Sequence, residues 1–302
     1  MGNVSLYLAT VFIWGSTWLA IKYQLGVVAP EVSIAYRFAL AAALLIAWCL
    51  GRGLSLRFSL REHAWMALQG TLLFSLNYLL VYEATAFLTT GLVAVAFSTM
   101  VVMNIVNGAL FFRLPVQPQV VVGAIIGLLG ISLVFWPEVS DFGSSQKAFL
   151  GLGLALAGTL LASLGTMVST QNQRNGLPVV QSNAIGMSYG ALLMLVVASL
   201  SGQPLDFEVT AAYIGSLLYL SLFGSVLAFG CYLTLLGRIG PSRAAYAMVL
   251  FPVVALAIST VAEDFRWSAA AAGGALLVLA GNLLVLAGPA LIRARRPAPD
   301  SV

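Results

Sequence analysis

At 302 residues the chain is 61% hydrophobic and only 8% charged, where a soluble domain is nearer 25% charged. A mean hydropathy of +1.00 excludes a soluble globular enzyme and places the chain in a lipid bilayer. The net charge of +4 makes no patch for nucleic acid, because the basic residues stand at the ends of apolar runs.

A helix needs about 20 mostly apolar residues to cross the hydrocarbon core. Ten such stretches follow one another: Leu6–Tyr23, Val32–Leu50, Ala64–Tyr82, Gly91–Phe112, Val120–Trp136, Gly151–Thr170, Val180–Leu200, Ala212–Leu233, Ala244–Ala262 and Ala269–Leu291. The expected fold class is an all-α membrane protein with ten transmembrane helices. Its connections are short, so function must lie inside the bundle or at its mouths. Met1-Gly2-Asn3 lacks the basic region of a secretory signal, so the first stretch is expected to be a retained helix. Gly2 opens an imperfect myristoylation pattern for which a ten-helix protein has no use. Cys49 and Cys231 fall within spans, and His63, in a loop, is the only histidine. No metal-ligand spacing results, and neither metal nor cofactor is expected.

Cytoplasmic connections carry the Lys/Arg excess. The second holds Arg52, Arg57 and Arg61, the fourth Arg113, the sixth Arg174, the eighth Arg238 and Arg243, and the C-terminal tail Arg293, Arg295 and Arg296. The odd connections hold only Lys22, Lys147 and Arg266, with most of the acids: Glu31, Glu83, Glu138, Asp141, Asp206, Glu208, Glu263 and Asp264. Both termini are therefore expected on the cytoplasmic side.

The chain also resembles itself at an offset of roughly 150 residues, as internally repeated transporters do. Tyr82 and Thr89-Thr90-Gly91 fall on Tyr232 and Ile239-Gly240-Pro241, Gly123 and Gly130 on Gly274 and Gly281, and Gly15-Ser16 on Gly165-Thr166. The loop charges reverse between the copies. Five spans per half are an odd number, so the second half must enter from the opposite side. The expected repeats are 1–147 and 148–302, inverted, with a site near the midplane where they meet.

The run Ile13-Trp14-Gly15-Ser16-Thr17, then Lys22 and Tyr36-Arg37-Phe38, resembles the opening of EamA-type members of the drug/metabolite transporter superfamily. The glycine-rich fifth and tenth spans and Phe251-Pro252 are similar too. Within that superfamily the chain is most similar to YddG-type exporters of aromatic and apolar amino acids. The resemblance implies a ten-helix exporter of small metabolites in a bacterial inner membrane. The chain departs at Ser98-Thr99-Met100, where a proline is typical, and at Phe112-Arg113, where an acid is common.

Polar residues inside spans are costly and face a cavity or a partner helix. Trp14, Thr17 and Trp18 share one helical face; Ser16 lies beside them. Asn77, Tyr78 and Tyr82 lie within about a turn of one another. Ser98, Thr99, Asn104, Ser163, Thr166, Tyr232 and Tyr246 complete the interior polar set. Aromatic walls with a few amides and hydroxyls suit an amphipathic solute. Lys22, at the end of the first span, is the charged candidate for substrate contact. Arg37 has two readings: a structural ion pair with Glu31 or Glu83, which is preferred, or a clamp on a substrate carboxylate. Pro252 should kink the ninth helix and is a candidate for gating. Trp65, Trp136 and Trp267 fit an interfacial belt. Gly123-x-x-x-Gly127-x-x-Gly130 and Gly186-x-x-x-Gly190 read as helix-packing faces.

No span interior carries Asp or Glu, so a facilitator without obligatory proton exchange is expected. A proton-coupled drug/metabolite antiporter is the alternative, as is a nucleotide-sugar or phosphorylated-metabolite carrier on the same fold. The expected partners are a small-molecule substrate and the lipid bilayer, with no nucleic acid. A monomer is expected, with a dimer as the alternative. No nucleophile–base pair or metal cluster marks an enzyme.

Overall fold

A computed structural model describes residues 2–113, 118–134, 136, 145–239, 244 and 247–295. Among them Tyr246 has no place, nor do Glu138, Asp141, Gly240, Pro241, Arg243 and Arg296; all seven lie outside the described residues. The described residues form helices and turns, with no strand.

Ten helices account for nearly all of these residues. They are α1 (Asn3–Lys22), α2 (Pro30–Gly51), α3 (Leu60–Thr85), α4 (Thr90–Phe112), α5 (Pro118–Val134), α6 (Ser145–Arg174), α7 (Val179–Leu200), α8 (Ala211–Ile239), α9 (Ala247–Ala262) and α10 (Ala269–Arg295). Seven of them are long and apolar enough to cross a membrane, and α5, α9 and α10 contain shorter apolar segments. Their outward faces carry side chains such as Leu110 (73% exposed), Leu192 (57%) and Leu276 (67%). Such faces would associate in water and suit lipid.

Caps move the helix ends outward from the hydropathy boundaries. Ser59 and Glu62 form a capping box, which satisfies the first free backbone N–H groups and starts α3 at Leu60. His63 is therefore helical and not in a loop, with Nδ1 3.1 Å from the Tyr189 hydroxyl. Likewise α6 starts at Ser145, so a division at 147 cuts its first turn. At the other end α10 runs on through Arg293 and Arg295, which are not tail residues.

Three helices are irregular inside. Residues Leu72–Leu76 of α3 and Leu220–Leu227 of α8 are wound as π-helix, a form found often at functional sites. In α4 the helix is interrupted by a turn at Ser98–Thr99, whose hydroxyls donate to the carbonyls of Val95 and Ala96. This back-bonding offers the backbone an alternative to the helical ladder. Pro252 produces no such break, and α9 is continuous from Ala247 to Ala262.

The helices pair in a regular way. The extensive pairs are α5 with α10, α2 with α7, α1 with α9 and α8, and α6 with α4 and α3. In addition α3 packs on α7, α8 on α2, and α4 on α9. Small residues permit the closest approaches. A Cβ on Gly130 would lie 2.7 Å from the Gly274 carbonyl oxygen, and one on Gly190 would lie 2.9 Å from that of Phe74. The core fills the space where α1, α2, α3, α4, α6, α7, α8 and α9 converge.

Candidate functional site

The π-wound stretch of α3 delivers Asn77 and Tyr78 to the centre of the bundle, and that of α8 delivers Phe229 and Tyr232. Facing them, Trp14, Thr17 and Trp18 project from one side of α1, as their spacing predicts. These six sequence candidates (Trp14, Thr17, Trp18, Asn77, Tyr78 and Tyr232) line one cavity. Its apolar wall is completed by residues that a search for polar positions passes over, chiefly Phe97, Met100, Phe229 and Phe251. The helical spacing of Phe229 to Tyr232 is the signal that could have found one of them.

The rings interlock. Trp14 meets Phe229 edge-on and Tyr232 at a tilt, each at 5.0 Å between centroids. Trp18 stacks on Phe251 at 5.8 Å and meets Phe97 at 5.4 Å. The Trp14 indole N–H donates to the Gly224 carbonyl at 3.2 Å. A Cβ there would be tight, 3.0 Å from the Thr17 methyl and 3.2 Å from Nη2 of Arg37. The space left is about 40 Å³, enough for water but short of the roughly 150 Å³ that holds a benzene ring. The cavity is therefore closed around its own side chains.

Several buried polar atoms have no hydrogen-bond partner: the Trp18 indole nitrogen, Asn77 Oδ1 and the Tyr232 hydroxyl in the wall, and Asn104 Nδ2 and the Tyr82 hydroxyl beyond it. Asn104 and Ser163 stand outside the wall in a chain, with Asn107 donating to Ser163 at 2.9 Å and Ser163 to Asn104 at 2.7 Å. Thr166 donates to the Ala162 carbonyl in its own helix, and with Asn104 it faces the Tyr232 hydroxyl. Thr99 occupies the turn of α4, bonded to its own backbone. Ser16 is bonded to Tyr219, away from Trp18. Tyr82 is fully buried beside Arg37.

Two further features lie along the same axis. Where α1, α4 and α9 end or begin, Lys22 Nζ stands 3.0 Å from Glu263. Glu263 also accepts from the Thr90 backbone N–H at 3.1 Å, the Thr90 hydroxyl, and Ser259 at 2.7 Å. Burial works against its charge, but the bonds from Thr90, Ser259 and Lys22 hold the carboxyl below its ordinary range. Lys22 thus serves Glu263 and does not reach the cavity wall. At the opposite end an open depression of about 500 Å³ lies between the last turns of α6 and α8, bordered by Thr170, Gln173, Arg174 and Arg238. Tyr232 and Thr166 stand one turn above it and separate it from the cavity.

Arg37 is where sequence reasoning erred most. It is 1% exposed, deep in α2, and is paired with neither Glu31 nor Glu83. Six residues at about 100° each put Glu31 and Arg37 on different faces of the helix.

Residues 2–136 and 149–287 match the EamA-like transporter family. Similar proteins include YedA of Escherichia coli, an uncharacterized inner membrane transporter, 28% identical over 83% of this chain and 80% of that protein. Protein PagO of Salmonella typhimurium is 21% identical over 91% of this chain and 88% of its own length. The uncharacterized transporter YoaV of Bacillus subtilis is 24% identical over 82% and 84%. A protein crystal structure with 20% sequence identity superposes with a TM-score of 0.72, covering 97% of this chain and 99% of the other. That likeness shows a shared fold.

Proposed function

The chain belongs to the EamA-like transporter family, a multi-pass membrane transporter and not an enzyme, and we propose that it exports aromatic and other bulky apolar amino acids by alternating access. What carries this reading is the cavity wall: seven large aromatic side chains, Trp14, Trp18, Tyr78 and Phe229 among them, with one amide and one threonine hydroxyl. Apolar burial against such a wall favours a solute by about 25 cal/mol per Å², and the few polar atoms hold its charged end.

The inverted repeat is part of the proposal. Advancing every helix by five exchanges the pair α1–α9 with α6–α4, α1–α8 with α6–α3, and α3–α7 with α8–α2. The same step carries the π-wound stretch of α3 onto that of α8. Both observations support two related halves that rock about the cavity between them. One seal is the Trp18–Phe97–Phe251 cluster capped by Lys22–Glu263; the other is the layer of Tyr232 and Thr166. The arginine-rich ends support a cytoplasmic position for the open depression and for both termini, in a bacterial inner membrane. None of the described residues in the cavity wall is acidic, which supports transport without obligatory proton exchange.

Counterflow of labelled phenylalanine in proteoliposomes, with equal pH on both sides, tests the reading. Saturable flux is expected, lowered about tenfold (1.4 kcal/mol) in Asn77→Ala and Tyr78→Ala at unchanged expression. Flux only under an imposed pH gradient would replace the facilitator with a proton antiporter. Flux of a nucleotide sugar but not of phenylalanine would replace the substrate class.

A further inference from the structure

Arg37 is a buried cation without a counter-charge. Its Nε donates to Ser225 Oγ at 3.0 Å and its Nη2 reaches the Tyr78 hydroxyl at 3.4 Å, a long bond. Nη1 is buried and has no hydrogen-bond partner. The guanidinium lies 4.4 Å from the centroid of Tyr78 and 5.1 Å from that of Phe38. No acid among the described residues stands within ion-pair distance of it.

Guanidinium groups keep their charge in proteins, and an unpaired charge away from water is costly. Ring faces and two hydroxyls offset only part of that cost. A group of purely structural purpose at this place would be expected to have a carboxylate beside it. A carrier has a reason to leave it without one, because a resident acid would compete with an anionic solute. Tyr78 stands between the guanidinium and the cavity, with its ring covering the one and lining the other.

We propose that Arg37 is the carboxylate-binding group of the transport site. The solute's carboxylate takes Nη1 and the weakly held Nη2 in a forked contact, aided by the unpartnered hydroxyl of Tyr82. Asn77 Oδ1, an acceptor without a donor, takes the ammonium, and the apolar side chain enters the aromatic cavity. The Tyr78 ring must swing aside for this, exchanging its long bond for the stronger charged one. The carboxylate becomes the obligatory feature of the substrate class, and the ammonium a secondary one. This inference rests on reading the aromatic cavity as the transport site.

Thermal shift of the purified wild type, R37Q and R37K with phenylalanine, phenylacetate, phenethylamine and inorganic phosphate separates the possibilities. Phenylalanine and phenylacetate should protect the wild type, and phenethylamine should not. R37Q should weaken both carboxylates about 30-fold or more, as expected for losing one partner of a buried charge pair. R37K, which keeps a charge but not the fork, should fall between. Equal protection of wild type and R37Q by phenylacetate, or protection by phenethylamine as strong as by phenylalanine, overturns the proposal. Protection by phosphate alone does so too and makes the site a phosphate site. Should R37Q fail to fold, R37K and the wild-type solute series decide: undiminished carboxylate affinity in R37K overturns it. Carboxylate protection lost in R37Q, with no amino-acid counterflow in the wild type, would leave Arg37 as the anion site and sink the amino-acid reading instead.

Discussion

Glu263 shows how a single side chain joins elements that the chain keeps far apart. It directly follows α9, yet its carboxylate gathers Lys22 from α1 and Thr90 from α4. Its side chain is 2% exposed while that of Lys22 is 51% exposed, so water screens one partner only. Because the folded carboxyl is held below its ordinary range, its contribution is present at neutral pH. It is lost progressively as pH falls from the ordinary carboxyl value through that lowered one. Glu263→Gln removes the charge and leaves an amide beside Thr90. With the pair discounted for the exposed ammonium, the loss is roughly 1 kcal/mol, or about 2–4 °C in Tm for a chain of this size. The difference in Tm between wild type and E263Q should be constant from neutral pH down to the top of the ordinary carboxylate range. It should close only at more acid pH. A difference that already closes near neutrality would show that Glu263 is not held in its charged form.

Among the elements, α5 and α10 form a pair that touches the rest of the bundle lightly and depends on glycine for its approach. Two positions on α5 give an internal control. A Cβ on Gly130 would lie 2.7 Å from the Gly274 carbonyl oxygen, whereas one on Gly127 would meet nothing within 4 Å. Both Gly→Ala changes raise helix propensity by about 1 kcal/mol, but only the first overpacks the interface, at a cost of about 1–3 kcal/mol. Thermal unfolding of the purified variants should show G127A as stable as the wild type or more so, and G130A less stable. Equal effects would mean that the two helices are not in this contact. The glycine faces and the helices themselves were legible from sequence because hydropathy and small-residue spacing report directly on lipid and close packing. The site was only half legible. Trp14, Thr17, Trp18, Asn77, Tyr78 and Tyr232 are polar or amphipathic within spans and betray themselves by their cost. Phe97 and Phe251 cost nothing in lipid, so nothing in composition separates a cavity phenylalanine from an outward one. The solitude of Arg37 was hidden because nearness in sequence to Glu31 says little about which helical face each occupies.

At the scale of the whole molecule, the pairing of α2 with α7 bears on the proposed inversion. The beginning of α2 meets the segment that follows α7: the Tyr36 hydroxyl donates to the Leu205 carbonyl at 3.1 Å, and its ring lies 5.8 Å from that of Phe207. Gly186 of α7, near its own beginning, packs on Met66 near the start of α3, just beyond the end of α2. The two helices thus run in opposite directions, although each is the second of its half. Repeats of the same orientation would set them parallel. Ser55, in the arginine-bearing connection after α2, and Gln203, in the acidic one after α7, are both exposed and lie at opposite ends of the bundle. In the proposed orientation the Ser55 end faces the cytoplasm, as its loop charge would favour. In whole cells, cysteine at Gln203 should react with a membrane-impermeant maleimide, and cysteine at Ser55 should react only after the membrane is opened. Cys49 is buried, and Cys231 sits within α8, so a variant lacking both is a suitable background. Labelling of both sites from the same face would exclude the inverted arrangement. Labelling of Ser55 alone from outside would keep the inversion but reverse the orientation, placing the depression beside Arg174 and Arg238 on the outer surface and Lys22–Glu263 at the inner one.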